Sequence, residues 1–266
     1  MCRQWWERKL SVPSHNFDAL PPEPAYVPRT GWPAWAVLPA GAVIFAGAAI
    51  IALFASSGVV AWLGEGPEIA ISAQVQMATV GLVALQICLV VLTIIAAGFF
   101  RSDRAETLAL RPPRGGWKVM WLALIPMFVL TGLWTALLMW LAPEVVIGDL
   151  RVFKDLLQGD TAMLALAAIA IGAPLSEELL FRGFLFSGLA KSRLGLAGTG
   201  VLTAALWTML HFGYSIFGLI EVLTIGLYFS WLLVRTGSAW VTIFCHAVYN
   251  TAVGLILYFV TLPPPV

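Results

Sequence analysis

The chain has 266 residues, of which 60% are hydrophobic and only 11% are charged. Soluble domains carry roughly 25% charged residues, so a water-soluble globular protein is excluded. The formal net charge of +1 results from 15 basic and 14 acidic side chains, which offers no basic surface for nucleic acid. The composition predicts a polytopic membrane protein whose first partner is the lipid bilayer and which binds no nucleic acid.

Seven apolar runs are candidates for membrane-spanning helices, because a span needs about 20 apolar residues. They are residues 34–63, 75–100, 117–141, 161–189, 200–212, 216–234 and 239–262. None of them shows the alternation that a membrane β-barrel requires. The fold predicted is therefore all-α, a polytopic transmembrane helix bundle of about seven spans.

The distribution of basic residues predicts the orientation in the membrane. Of the 15 Lys and Arg residues, only Arg151 and Lys154 fall on the side opposite the N-terminus. Because basic loops stay in the cytoplasm, we expect a cytoplasmic N-terminus and an integral, multi-pass protein of a bacterial inner membrane.

The first apolar run begins only after residue 33 and is too long for the core of a signal peptide. Residues 1–33 are rich in proline and carry Trp5 and Trp6 beside basic side chains. We expect a cytoplasmic or interfacial tail that is partly disordered, with no cleavable signal peptide.

The most informative residues are those that a bilayer penalises, at about 2.5–3.5 kcal/mol for each charged side chain near its centre. One apolar run contains Glu177, Glu178 and Arg182 within six positions. Glu178 and Arg182 are four residues apart and can form an ion pair on one helix face. Glu177 is rotated by about 100° from Glu178 and has no local partner.

Two histidines also lie inside apolar runs. His211 follows Trp207 by four residues, and Asn250 follows His246 by four. Taken singly, His211 is explained as a packing residue and the His246–Asn250 pair as a hydrogen-bonding contact between helices. Counted from the basic ends of their helices, however, both histidines lie about 16 Å deep. Glu177 reaches a comparable depth, so the three clusters can meet.

A carboxylate and a histidine that face one cavity can hold a water molecule and remove its proton. A second histidine and an amide can stabilise the oxyanion that forms when this water attacks a carbonyl group. The set Glu177, His211, His246 and Asn250 therefore fits a peptide-bond hydrolase without a covalent nucleophile. Cys245 and Ser176 are nominal nucleophiles but are poorly placed, since Cys245 directly precedes His246 and Ser176 follows a proline closely.

A metal site is the competing interpretation of the same groups. Glu177, His211 and His246 form a set of ligands that suits zinc or another divalent ion. The spacing lacks the H-E-x-x-H signature, and the ligands would have to converge from three helices. We favour a mechanism that requires no cofactor, with the metal site as the alternative.

These residues resemble the CPBP family of intramembrane proteases, which contains the type II CAAX prenyl endopeptidases and the bacterial Abi proteins. The family motif E-E-x-x-x-R corresponds to residues 177–182, followed by Gly183. The motif F-x-x-x-H corresponds to residues 207–211, with Trp207 in place of phenylalanine, a change we interpret as conservative packing. The motif H-x-x-x-N corresponds to residues 246–250.

The resemblance implies an endopeptidase that opens from the membrane toward the cytoplasm and acts on a peptide or membrane-protein substrate, prenylated or not. It implies Glu177 as general base, His211 as the residue that orients the water, and His246 with Asn250 as the oxyanion site. Glu178 and Arg182 would be supporting residues. The family has been described as metalloproteases and also as glutamate proteases. The chain then divides into a tail (1–33), accessory transmembrane helices (34–158) and a protease core in the last four spans (159–266).

Two rival functions remain open. A proton-coupled transporter would use Glu177, Glu178, His211 and Glu221 as a relay, although the repeated halves typical of transporters are missing. Glu221 belongs to none of the motifs and is otherwise explained as an interfacial residue. A non-catalytic scaffold or bacteriocin-immunity protein would keep the polar set as a relic.

Overall fold

The structure, a computed structural model, describes residues 25–63 and 69–263, and side chains between residues 60 and 72 are left out of the description. The described residues form helices and no strands. The helices are α1 (Ala34–Leu63), α2 (Ile69–Ala97), α3 (Arg104–Thr107), α4 (Lys118–Leu141), α5 (Pro143–Leu156), α6 (Ala162–Leu189), α7 (Gly195–Met209), α8 (Ile216–Thr236) and α9 (Ala239–Phe259).

The predicted all-α transmembrane bundle is confirmed. Six of the described helices are long and apolar enough to cross a membrane, namely α1, α2, α4, α6, α8 and α9, and α7 is a shorter apolar helix. Large apolar side chains such as Phe54 on α1 and Trp121 on α4 are exposed. In water such a surface would be unfavourable, but it suits helices that face acyl chains.

Helix α6 carries the two adjacent glutamates and is the most buried of the spans. Two of its segments, Ala168–Gly172 and Leu179–Leu185, are π-helical. Pro174 follows the first of them, and a proline lacks an N–H group and clashes with the carbonyl of the preceding turn. A wider π turn relieves that clash and often marks functional sites. Glu177 and Glu178 lie between the two π segments.

Helix α5 is too short to span the membrane and covers one end of the bundle. The helix begins at Pro143, a residue that is favoured in the first turn of a helix. The carboxylate of Asp149 accepts hydrogen bonds from the backbone N–H (2.7 Å) and the Oγ (2.6 Å) of Ser215. Ser215 in turn caps α8, because its Oγ accepts from the N–H of Gly218 (3.1 Å). The start of α8 is thus fastened to α5.

The opposite end of the bundle collects the basic loops and the residues that precede α1. The N–H groups of Ala25 and Tyr26 donate to the carbonyl of Val234 (2.9 and 3.2 Å), and Lys191 Nζ donates to that of Thr30 (2.8 Å). Of the predicted tail, residues 25–33 are therefore packed on the bundle. Residues 1–24, including Trp5 and Trp6, lie outside the described residues.

Candidate active site

Trp207, near the end of α7, connects the polar clusters. Its indole Nε1–H donates to Oε2 of Glu177 on α6 at 2.5 Å. Its ring also lies 5.1 Å from the ring of His211 and 5.5 Å from that of His246, both edge-on. The role of Trp207 therefore exceeds the packing that the sequence predicted, because phenylalanine has no N–H to offer Glu177.

The predicted ion pair between Glu178 and Arg182 is present and completely buried. Nη1 of Arg182 lies 3.0 Å from Oε1 of Glu178, and both side chains are 0% exposed. Nη2 donates to the carbonyl of Gly226 on α8 at 3.2 Å, and the guanidinium lies 4.5 Å from the centre of the Trp207 ring. A buried charge needs such partners to offset its desolvation, so these contacts explain how α6 accommodates Arg182.

His246, on α9, contacts Glu178 through its Nδ1. Its Nδ1 lies 3.1 Å from Oε1 of Glu178, and the residue is 5% exposed. A carboxylate only accepts hydrogen bonds, so Nδ1 carries the proton. Nε2 is then the ring nitrogen available to a substrate, and Glu178 stabilises the imidazolium whenever Nε2 is also protonated.

His211 and Asn250 are each oriented by a backbone carbonyl. Nδ1 of His211 donates to the carbonyl of Trp207 at 3.0 Å, which leaves its Nε2 as an acceptor in the neutral ring. Nδ2 of Asn250 donates to the carbonyl of Ile169 at 2.9 Å, in the first π segment of α6. One amide hydrogen of Asn250 remains for another acceptor.

A cavity of about 700 Å³ brings the predicted residues together. Its wall includes Glu177, His211, His246 and Asn250, while most other lining residues are apolar. Glu178 and Arg182 do not line the cavity. Glu178 contacts His246, and Arg182 contacts the ring of Trp207, on the side of these residues away from the cavity. The structure therefore places the four predicted catalytic residues at one cavity and the two predicted supporting residues in the layer beneath it.

The nominal nucleophiles lie outside this cavity. Oγ of Ser176 donates to the carbonyl of Ala173 at 3.1 Å within α6. Cys245 is buried, and its Sγ lies 3.8 Å from the carbonyl of Met120. Neither side chain lines the cavity.

The cavity occupies the half of the bundle next to α5. Most of its lining residues on α4, α8 and α9 lie between the middle of each helix and the end that α5 covers, as Met139, Gly218 and Leu257 do, while Phe229 and His246 lie just beyond the middle. The basic loops lie at the other end. Most of the cavity thus lies nearer the end that α5 covers than the end that carries the basic loops.

Several polar residues of the cavity belong to none of the motifs, and Glu221, Tyr249 and Gln86 are among them. Glu221 on α8, expected at the interface, accepts a hydrogen bond from the hydroxyl of Tyr249 at 3.1 Å, and both line the cavity. Gln86 on α2 lines it as well and is 5% exposed. The signal in the sequence is the same for Glu221 and Gln86, a polar side chain inside an apolar run.

The alternative metal site lacks a preformed set of ligands. Across the parts of the chain that the structure describes, no three His, Cys, Asp or Glu side chains are grouped closely enough to hold a metal ion. Nδ1 of His246 and Nδ1 of His211 are engaged by Glu178 and by a carbonyl. An ion would thus meet only the two Nε2 atoms and Glu177, after these had moved closer together.

The fold and this cavity define a polytopic helical membrane protein with a polar, carboxylate- and histidine-lined site between its spans. Residues 159–252 match the family model described as type II CAAX prenyl endopeptidase Rce1-like, which is about a third of the chain. All three motifs lie inside the matched segment, and the predicted resemblance to the CAAX protease family is confirmed there. No curated protein and no solved structure matches the chain. At the family level, this match supports a CAAX-type intramembrane protease.

Proposed function

We propose that this protein is an intramembrane endopeptidase in which Glu177 activates a water molecule for attack on a peptide carbonyl. The observation that carries the proposal is the convergence of Glu177, His211, His246 and Asn250 on one cavity. The four residues come from α6, from the turn that follows α7 and from α9. Their meeting at one wall places a carboxylate and two imidazoles where they can act on the same water and carbonyl group.

The hydrolytic water would lie between Glu177 and His211. One carboxylate oxygen of Glu177 is held by the indole of Trp207, which leaves the other to accept the proton of water. The Nε2 lone pair of His211 is directed by the carbonyl that binds Nδ1, so it orients the water through a second hydrogen bond. Attack then forms a tetrahedral intermediate with a negative oxygen.

His246 and Asn250 would stabilise that oxygen. The imidazolium of His246 donates through Nε2 while Glu178 balances its charge from behind. The second amide hydrogen of Asn250 adds a donor. The proton taken up by Glu177 passes to the departing amine, and the peptide bond breaks into a carboxylate and an amine.

The decisive experiment compares the purified full-length protein with Glu177→Gln and His246→Ala on fluorogenic peptides, with and without a prenyl group. General acid–base catalysis contributes about 10²–10⁴-fold, so we expect each variant to lose at least about a hundredfold in kcat. Glu144→Gln is the control, because Glu144 is exposed on α5 and does not line the cavity. Cleavage that persists in Glu177→Gln would exclude the proposal.

Repeating the assay with a chelator distinguishes metal-free hydrolysis from metal-dependent hydrolysis by the same residues. We propose that the reaction needs no ion, and cleavage should then survive removal of divalent metals. Loss of cleavage on chelation, with recovery on adding zinc, would instead assign Glu177, His211 and His246 as ligands.

A proton-coupled transporter is the second candidate, favoured by the presence of Glu221 in the same cavity as Glu177 and His211. Carboxylates and histidines in one membrane cavity are typical of proton relays. Proteoliposomes with an internal pH dye test it: proton uptake that is abolished by Glu221→Gln would favour transport, and its absence beside peptide cleavage would favour the protease.

A further inference from the structure

His211 is the one proposed catalytic residue that does not lie in a helix. Helix α7 ends at Met209, and His211 belongs to the turn that leads to α8. Phe212 and Gly213, the next two residues of this turn, are exposed. A turn with few buried contacts opens more easily than a packed helix. The position of the imidazole therefore depends on whatever else holds the turn.

Helix α5 makes two contacts with this turn. The carboxylate of Asp149 accepts hydrogen bonds from both the backbone N–H (2.7 Å) and the Oγ (2.6 Å) of Ser215, where the turn ends. One helical turn further along α5, the ring of Phe153 lies 5.8 Å from that of Tyr214, which itself lies 5.5 Å from the ring of His211. Both contacts meet the chain just after His211, so α5 holds the segment that carries it.

Helix α5 is itself attached to the rest of the bundle. Nζ of Lys154 donates to the carbonyl of Leu257 on α9 at 2.8 Å. Apolar side chains of α5 also pack against a buried cluster to which α6 and α9 both contribute, and such burial stabilises the contact. Because α9 carries His246 and Asn250, α5 links the turn of His211 to the helix that bears the proposed oxyanion site.

Gly218, in the first turn of α8, allows Asp149 to come this close. A methyl group at this position would clash with Oδ2 of Asp149 and would lie 3.1 Å from Cβ of Tyr214. Glycine is the residue that permits such a close approach, because it has no Cβ. The contact between Asp149 and Ser215 therefore depends on a small residue on α8 as well as on the carboxylate of α5.

We propose that Asp149 is a positioning residue of the protease, which acts through Ser215 to hold His211 in place at the cavity wall. The inference rests on the proposed function, and it adds a residue that lies outside the segment matched by the family model, residues 159–252. A catalytic group that is misplaced by about 1 Å can lower the rate about a hundredfold. Loss of this contact should therefore lower kcat without changing KM.

The kinetic test compares the purified full-length protein with Asp149→Ala and Asp149→Asn on one fluorogenic peptide. Asp149→Ala removes both hydrogen bonds, and we expect kcat to fall by about 10- to 100-fold while KM changes by less than about twofold. Asp149→Asn should keep kcat within about threefold of wild type, because its amide oxygen accepts the N–H of Ser215 and its NH₂ group can donate to Oγ. Asp155→Ala is the matched control, since Asp155 is exposed on the same helix and does not line the cavity.

Gly218→Ala breaks the same contact from the side of α8. Alanine has a higher helix propensity than glycine, so a loss of kcat in this variant does not come from a weaker helix. We expect a loss similar to that of Asp149→Ala. If Asp149→Ala fails to fold, Gly218→Ala takes its place in the comparison.

A nitroxide spin label at Gly213→Cys, in protein whose native cysteines are replaced by alanine, reports on the turn without requiring cleavage. Gly213 is exposed, and a Cβ there meets no other atom within 4 Å. We expect electron paramagnetic resonance to show a more mobile label in Asp149→Ala and Gly218→Ala, and wild-type mobility in Asp155→Ala. If the wild-type protein cleaves no peptide, the proposed function fails, and the mobility of the label alone decides this inference.

Three results would overturn the inference and leave the protease intact. The first is unchanged mobility of the label in both Asp149→Ala and Gly218→Ala. The second is a change confined to KM, which would show that Asp149 contacts the substrate. The third is a loss of kcat that Asp149→Asn shares in full, which would show that the charge of Asp149 matters and not its hold on Ser215.

Discussion

The indole N–H of Trp207 donates to a carboxylate oxygen of Glu177 at 2.5 Å, which joins α7 to the glutamate pair of α6. The same ring stacks beneath the guanidinium of Arg182 and contacts both histidines edge-on. One aromatic side chain thus separates the cavity from the buried ion pair and orients the proposed base. Trp207 is a positioning residue in this arrangement, because it acts through Glu177.

Trp207→Phe removes this donor while keeping an aromatic ring in place. We expect kcat to fall by about 10- to 100-fold, since a hydrogen bond to a charged group contributes about 1.5–3 kcal/mol, with KM almost unchanged. Steady-state kinetics on one peptide and thermal unfolding in the same detergent measure both effects. A rise in KM at constant kcat would show that Trp207 contacts the substrate and does not position the base.

The Glu178–Arg182 pair should be more important for stability than any surface pair. Arg182→Met leaves Glu178 buried without its main counterion, and breaking such a pair lowers the free energy of unfolding by about 3–5 kcal/mol. The double variant Glu178→Gln with Arg182→Met should recover most of this loss. Unfolding of the three proteins in detergent checks the prediction, and equal stability of the single and double variants would contradict it.

The single variant Glu178→Gln tests whether the contact between Glu178 and His246 is needed for catalysis. Glutamine can still contact Nδ1 of His246, but it no longer balances the imidazolium charge. We expect kcat, measured on the folded fraction, to fall by more than tenfold. The free energy of unfolding should fall as well, because Arg182 is then buried without its counterion. Unchanged kcat would mean that the contact between Glu178 and His246 is structural only.

Gln86→Leu tests whether the buried amide of Gln86 lowers the stability of the folded protein. Replacing an unpartnered buried amide with an apolar side chain of similar size should leave the unfolding temperature unchanged or raise it. Loss of stability would instead indicate that Gln86 has a partner within the protein. Leu82→Met, one turn earlier on the same cavity wall, is a matched apolar control.

Membrane topology decides which compartment the cavity faces. Single cysteines at Arg193 and at Asp160, both exposed and at opposite ends of the bundle, are probed with an impermeant maleimide on intact cells. The positive-inside rule predicts labelling of Asp160→Cys in intact cells and of Arg193→Cys only after lysis. The reverse pattern would place the basic loops outside and the end covered by α5 in the cytoplasm.

The helical bundle and the three motifs could be predicted from the sequence, because each depends on residues that are close together along the chain. Spans appear as continuous apolar runs, and Glu178 and Arg182 pair because a helix brings residues four apart to one face. The partner of His246 was not accessible in this way. Its neighbour at helical spacing is Asn250, but its Nδ1 binds Glu178, 68 positions away, and Asn250 turns to Ile169.

The sequence by itself determined that this is an all-helical membrane protein, which residues are unfavourable in lipid, and that residues 159–252 resemble the type II CAAX prenyl endopeptidases. Only the tertiary structure decided which of these residues meet, that Trp207 donates to Glu177, and that Gln86 and Glu221 share their cavity. The physical reason is that a membrane helix is apolar on both its lipid-facing and its protein-facing sides. Its sequence therefore carries little periodic signal of its rotation, which contacts between distant helices set instead.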